Sequence, residues 1–137
     1  MYLLDTDILS NLMKRAPADK LLARLAKEAP EAQYTSSVTL GELLYGAHRS
    51  ARSASLLERI EAVITVDLRV LPFDAAAARR YGGIRAELES EGTPIGDADV
   101  RIAAIALTHG LKVVTGNERH FRRVSGLEVE NLSLIHI

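Results

Sequence analysis

The sequence predicts an α/β fold with a mainly parallel central sheet flanked by helices. Three observations lead there. Short apolar runs of strand length alternate with longer stretches whose apolar residues recur at helical spacing. Breakers such as Pro72, Gly92-Thr93-Pro94 and Gly110 fall between those segments rather than inside them. The chain has 137 residues, one domain's worth. A domain of that size buries roughly two thirds of its unfolded surface and needs no staple.

Element by element, Tyr2–Leu4 reads as a buried strand ending at Asp5, and Ile8–Met13 as a short helix. Ala18–Lys27 repeats Leu21, Leu22, Leu25 and Ala26 at helical spacing. Gln33–Ser36 is the second strand; Val38–Ala47 and Ser55–Ile64 are two more helices. Arg69–Leu71 is a third strand, stopped by Pro72. Ala75–Glu91 is a long amphipathic helix, and its alanine run is explained by helix propensity. Asp97–Thr108 is a helix apolar nearly all round, hence central, with Gly110 as its stop. Lys112–Thr115 and Leu127–Glu130 are the last strands. In such sheets ligands collect at the carboxyl ends of strands, where Asp5 and Thr115 stand.

Composition removes several function classes. With no cysteine, thiol catalysis, iron–sulfur clusters and cysteine zinc sites are excluded. Net charge is −1, from 17 basic and 18 acidic side chains, so bulk charge does not announce a nucleic-acid binder. Aromatics make up 4% and tryptophan is absent, so base-stacking platforms are not expected. No apolar run reaches membrane-span length, and no basic segment precedes an apolar one at the start. The expectation is a cytoplasmic protein without a membrane partner.

Three acids stand out because their surroundings are apolar. Asp5 follows a strand directly, where a carboxylate suits metal binding; capping of the next helix is an equal reading. Of the pair in Asp5-Thr6-Asp7, Asp7 is the better cap and Asp5 the better ligand. Glu42 shares a helix face with Val38 and Tyr45, which is costly unless it binds a metal, finds a partner or reaches water. Asp99 opens the apolar helix and shares a face with Ile102, Ala103 and Ala106; dipole compensation is its plain alternative. Asp97 is the expected N-cap of that helix. Clustered carboxylates repel unless a cation is present, and hard divalent cations with oxygen ligands resolve this. Such ions activate water and stabilise leaving oxygens in phosphodiester cleavage.

Four segments resemble those of one family in the right order. Leu4-Asp5-Thr6-Asp7-Ile8-Leu9-Ser10 resembles the opening of VapC-type PIN domains. Val38-Thr39-Leu40-Gly41-Glu42-Leu43-Leu44-Tyr45-Gly46 resembles their second acidic motif. Pro94-Ile95-Gly96 with Asp99 and Ile102-Ala103-Ala104 resembles the third. Val113-Val114-Thr115-Gly116-Asn117, then Phe121 and Gly126-Leu127, resembles the closing block. The resemblance implies a PIN-like nuclease domain over residues 1–131 and a Mg²⁺- or Mn²⁺-dependent endoribonuclease, the toxin of a type II toxin–antitoxin pair. It further implies an RNA substrate, a cognate VapB-like antitoxin and a homodimer. Carried over by position, Asp5, Glu42 and Asp99 are the catalytic, metal-holding acids, with Thr6, Thr115 and Asn117 in support. Many PIN domains carry a fourth acid where this chain has Asn117, which adds no charge and leaves a second metal in question.

Lys14, Arg15, Arg49, Arg52, Lys112, Arg119, Arg122 and Arg123 are candidates for positioning phosphate, each more simply a solvated cation. His109 and His120 have no metal-spaced partner and read as surface or helix-end residues. Residues 132–137 depart from the family's ending and spell what a transposon end used in sequencing-library preparation encodes. They are expected to be a non-native, adapter-derived tail without function. Two other functions compete. Asp5-Thr6-Asp7 also matches the nucleophile pair of haloacid-dehalogenase-like phosphatases, though Ile8-Leu9 stands where Gly-Thr is expected and Glu42 is unexplained. A non-catalytic PIN-like binding module is the other, and Asn117 is its best support.

Overall fold

The computed structural model describes residues 1–14, 17, 19–27 and 32–132, without the side chains of 65–67. Arg15 and, apart from Leu132, the expected tail lie outside the described residues. The order is β1 (Tyr2–Leu4), α1 (Thr6–Leu12), α2 (Asp19–Leu25), β2 (Gln33–Ser36), α3 (Ser37–Arg49), α4 (Ser53–Asp67), β3 (Arg69–Leu71), α5 (Ala75–Ser90), α6 (Asp97–His109), β4 (Lys112–Thr115), α7 (Glu118–Phe121) and β5 (Val129–Asn131).

The sheet runs β3-β2-β1-β4-β5, and every pairing is parallel. The strands are short, and their pleat divides the core. Leu3 and Val113 face one layer with Val100, Ile102, Ile105 and Phe121. Tyr2, Leu4 and Val114 face the other with Ile8, Leu9, Leu21, Leu43 and Ile60. Both faces are covered, which is why the central β1 and β4 read as continuous apolar runs rather than alternating ones. α6 is buried over Ile102–Ala106, with alanines where it packs closely on α5. It stops at Gly110, whose φ of 64° is the left-handed cap glycine accepts freely.

From β1 the chain builds outward to β2 and β3, then returns to place β4 on the other side of β1. The crevice between the ends of β1 and β4 is therefore the switch point where parallel sheets bind ligands.

Three local expectations are corrected. The last strand is Val129–Asn131, later than Leu127–Glu130, because a turn at Gly126 (φ 79°) leaves Leu127 to pack on the core. The four-residue α7 was not foreseen; its own sequence is polar except for Phe121, and only the burial of that ring fixes it. Asp97 does not cap α6: Gly96 takes the cap position, and Asp97 is bound instead by Arg101 at 2.8 Å and by the Tyr81 hydroxyl. These contacts, the Tyr81 hydrogen bond foremost, hold the Asp97 carboxyl below the usual range.

Candidate active site

The cleft at the β1–β4 switch point is lined by Asp5, Thr6, Asp7, Ser10, Asn11, Lys14, Glu42, Asp99 and Asn117. Asp5 stands one residue beyond β1, where its backbone N–H still donates to Val114 O at 3.0 Å. Its side chain accepts the Thr6 N–H at 2.7 Å and the Thr115 hydroxyl at 2.8 Å. The N-cap of α1 is thus Asp5 rather than the expected Asp7. Of the two readings weighed for Asp5, the cap is met, and the same carboxylate also lines the cleft.

Asp7 turns back across the sheet ends, and its Oδ2 accepts the Gly116 N–H at 2.9 Å. Its other oxygen is buried with no hydrogen-bond partner. Sequence reasoning left Asp7 out of the site, since Asp5-Thr6-Asp7 alone does not say which acid turns inward.

Glu42 enters from α3. Ser36 caps that helix by accepting the Thr39 N–H at 2.9 Å. Thr6 Oγ1 then donates to Glu42 Oε1 at 2.8 Å and lies 3.3 Å from Thr39 Oγ1. Thr6 thus ties α1 to α3. Glu42 is exposed and reaches the water of the cleft, as its plainer reading held.

Asp99 comes from the first turn of α6, partly buried. Its partner is His120, which was expected to be a bystander. His120 Nδ1 lies 3.0 Å from Asp99 Oδ2 and 3.0 Å from Asn117 Nδ2. A proton on Nδ1 makes the imidazole a donor to the carboxylate. No spacing in the sequence signals this contact, because α7 that carries His120 exists only through the packing of Phe121. Asn117 also donates its backbone N–H to Thr115 Oγ1 at 2.9 Å, so one hydroxyl links the closing block to Asp5.

Of the phosphate-positioning candidates, Lys14 lines the cleft. Lys112 does not: it pairs with Tyr2 at the far end of the sheet and with Glu130 at 3.7 Å. Arg122 is engaged by Glu118, and Arg123 donates to Pro94 O at 3.0 Å. Arg119 is exposed, Arg49 and Arg52 lie exposed at and beyond the end of α3, and His109 ends α6 exposed, as expected.

Electrostatics set this cleft apart. Burial, assisted by the charges of Asp7 and Asp99, pushes the Asp5 carboxyl up to about 7 against its two hydrogen-bond donors. Burial also pushes Asp7 upward. The donor set would suit a hard cation: the groups are carboxylate oxygens that disfavour one another's charge, and Asp7 Oδ1 has no hydrogen-bond partner. Among the described residues no three acidic or histidine side chains form a ready-made metal cage.

Comparison with known proteins agrees with this architecture. The PIN domain family model matches residues 2–127. The tRNA(fMet)-specific endonuclease VapC of Shigella flexneri is 41% identical over 135 residues, spanning 96% of this chain and 98% of its own. The ribonuclease VapC of Haemophilus influenzae is 38% identical over 130 residues, spanning 95% and 96%. The crystal structure of DNA-bound VapBC from Salmonella typhimurium superposes with a TM-score of 0.88 at 38% identity, covering 95% of this chain and 96% of that one. The parallel sheet, the acid-lined cleft at its switch point and these relatives together place the chain in the PIN-domain family, among its VapC-type members.

Proposed function

We propose that this protein is a Mg²⁺- or Mn²⁺-dependent endoribonuclease, acting as the toxin of a toxin–antitoxin pair and hydrolysing RNA phosphodiesters in the β1–β4 cleft. The observation that carries the reading is the convergence of Asp5, Glu42 and Asp99 from three separate elements on one open cleft, with Asp5 pushed up to about 7 by burial and by neighbouring acids. Such a site favours a bound cation over an empty state.

Asp5, Asp99 and Glu42 would hold the ion, with Asp7 adjoining. When bound, the ion supplies charge that activates a water and offsets the charge at the scissile phosphate. Thr115 keeps Asp5 oriented, Thr6 keeps Glu42 oriented, and His120 holds one oxygen of Asp99. Lys14 at the rim is placed to meet an incoming phosphate. The ribonuclease and toxin names of the relatives support the substrate class and the biological role. The VapBC complexes among the structural relatives support a VapB-like antitoxin as partner; a homodimer is proposed with it. Family membership displaces the phosphatase alternative. One specific observation favours a binding module instead: Asn117, in place of an acid, is occupied with His120.

The test is cleavage of a panel of folded RNAs by purified protein with Mg²⁺ or Mn²⁺ against chelator. Asp5→Asn and Asp99→Asn are each expected to lower the rate by about two orders of magnitude, the loss of several kcal/mol of electrostatic stabilisation. Chelator is expected to abolish cleavage. Folded, antitoxin-free protein that binds no divalent cation by calorimetry and cuts nothing would establish the binding module in its place.

A further inference from the structure

Glu42 is not the last exposed residue on its helix face. Glu42, Tyr45 and Arg49 stand at i, i+3 and i+7 on α3, a line that leads out of the cleft over solvent. Tyr45 is 63% exposed, and among the described residues only Met1 and Leu22 are other large apolar side chains left so open. Helical side chains lean toward the N-terminus, which on α3 is the direction of Glu42. Neither flank is crowded: a Cβ at Gly41 or Gly46 would meet no atom within 4 Å.

Arg49 is held against the ring. Its guanidinium carbon lies 5.3 Å from the ring centroid, and Nη1 donates to the Tyr45 hydroxyl at 3.2 Å. Arg24, Arg85, Arg101 and Arg122 are all engaged by carboxylates. Arg49 and Arg52 meet none among the described residues, so their charge is uncommitted. An open aromatic surface beside an unneutralised guanidinium matches a polyanion with unpaired bases: stacking on the ring, phosphate on the cation. A duplex offers the phosphates but keeps its bases inside.

We infer that, against the expectation from the scarcity of aromatics, Tyr45 and Arg49 form a substrate platform that takes an unpaired nucleotide of the RNA strand next to the bond cut at the acids. This rests on the nuclease reading and deepens it: the substrate is single-stranded where it leaves the cleft over α3. Stacking requires no particular base, so the platform sets strand form and register rather than sequence.

The chain has no tryptophan, so Tyr45→Trp introduces a single fluorophore at the platform. The full chain carrying Asp99→Asn, expected to cut about a hundred-fold more slowly, is titrated in chelator with a short oligoadenylate, single-stranded or annealed to oligouridylate. The single strand is expected to quench the emission and the duplex to leave it unchanged. By anisotropy of the labelled oligoadenylate, Tyr45→Ala is expected to weaken binding about ten-fold and Tyr45→Phe less than about two-fold. Arg49→Gln should lower the salt slope by about one unit. If wild-type protein cleaves RNA while Tyr45→Ala binds as well as the parent, or no variant binds the single strand, the platform falls and the nuclease reading stands. Binding with quenching, but no cleavage by wild-type protein, would sink the nuclease reading and overturn the proposal as stated, leaving an RNA-binding surface beside no cut bond. Emission that changes with protein concentration in the absence of RNA would assign the face to a second copy of the chain and overturn the proposal.

Discussion

At Asp5 a carboxylate is asked to do opposing things. The Thr6 N–H and the Thr115 hydroxyl favour its charged form, while burial at 6% exposure and the nearby acids oppose it. Burial prevails, and the group sits at about 7 instead of 3.8. Between those values the metal-free folded protein keeps a proton that the unfolded chain has lost. Stability from this group therefore falls as pH rises through that window and levels off above it. The full effect is on the order of 4 kcal/mol at most. Asp5→Asn loses hydrogen bonds at every pH but removes this penalty only where the wild-type group must ionise. In chelator, the stability of Asp5→Asn relative to wild type should rise from about pH 4 to about pH 7. Urea unfolding across that range checks it; a difference that does not vary with pH would contradict the assignment. Asp5, Glu42 and Asp99 were legible as candidates because each is an acid where the surrounding pattern wants apolar residues. Asp7 and His120 were not, because what marks them is which way they turn, and that is set by Gly116 and Phe121 more than a hundred positions along from Asp7 or beside His120 in α7.

At the scale of elements, the short connection between β4 and α7 decides the site. Thr115 reaches Asp5, the Gly116 N–H reaches Asp7, and Asn117 reaches His120. Gly116 is required there by close approach: a Cβ would lie 2.5 Å from Asp7 Oδ2. Since that oxygen accepts the Gly116 N–H, relieving the clash means giving up the hydrogen bond and moving a partly buried carboxylate. Gly116→Ala is expected to cost about 1–3 kcal/mol, read from the urea midpoint, and to reduce cleavage as Asp7 shifts. An unchanged midpoint would show that the loop yields without loss. Strands β1 to β4 and the two helices α5 and α6 were readable nearly to the residue, because apolar period, Pro72 and Gly110 mark them. The α7 helix was not, since three polar residues and Phe121 carry no period of their own.

Across the whole molecule, β1 lies at the centre of five parallel strands, and three separated acidic segments meet only because the topology reverses there. No helix among the described residues is long and apolar enough to cross a membrane. If the folded cleft holds the proposed ion, the unfolded chain scatters its ligands, and binding is coupled to folding. Mn²⁺ at about a hundred times its Kd should add about 2.7 kcal/mol of stability, several degrees in Tm for a domain of this size. Calorimetry of wild type against Asp99→Asn checks it: the shift should be absent in the variant, and an equal shift in both would place the ion elsewhere.

By itself the sequence determined the fold class, the strand and helix order and the three principal acids, since period, turn residues and the cost of an unpaired charge in an apolar segment are local properties. Tertiary structure alone decided that Asp5 rather than Asp7 caps α1, that His120 holds Asp99, and that Tyr45 is left open beside Arg49. Each of these depends on the direction of a side chain relative to residues far off in sequence, and such directions are fixed only when both faces of the sheet have been packed.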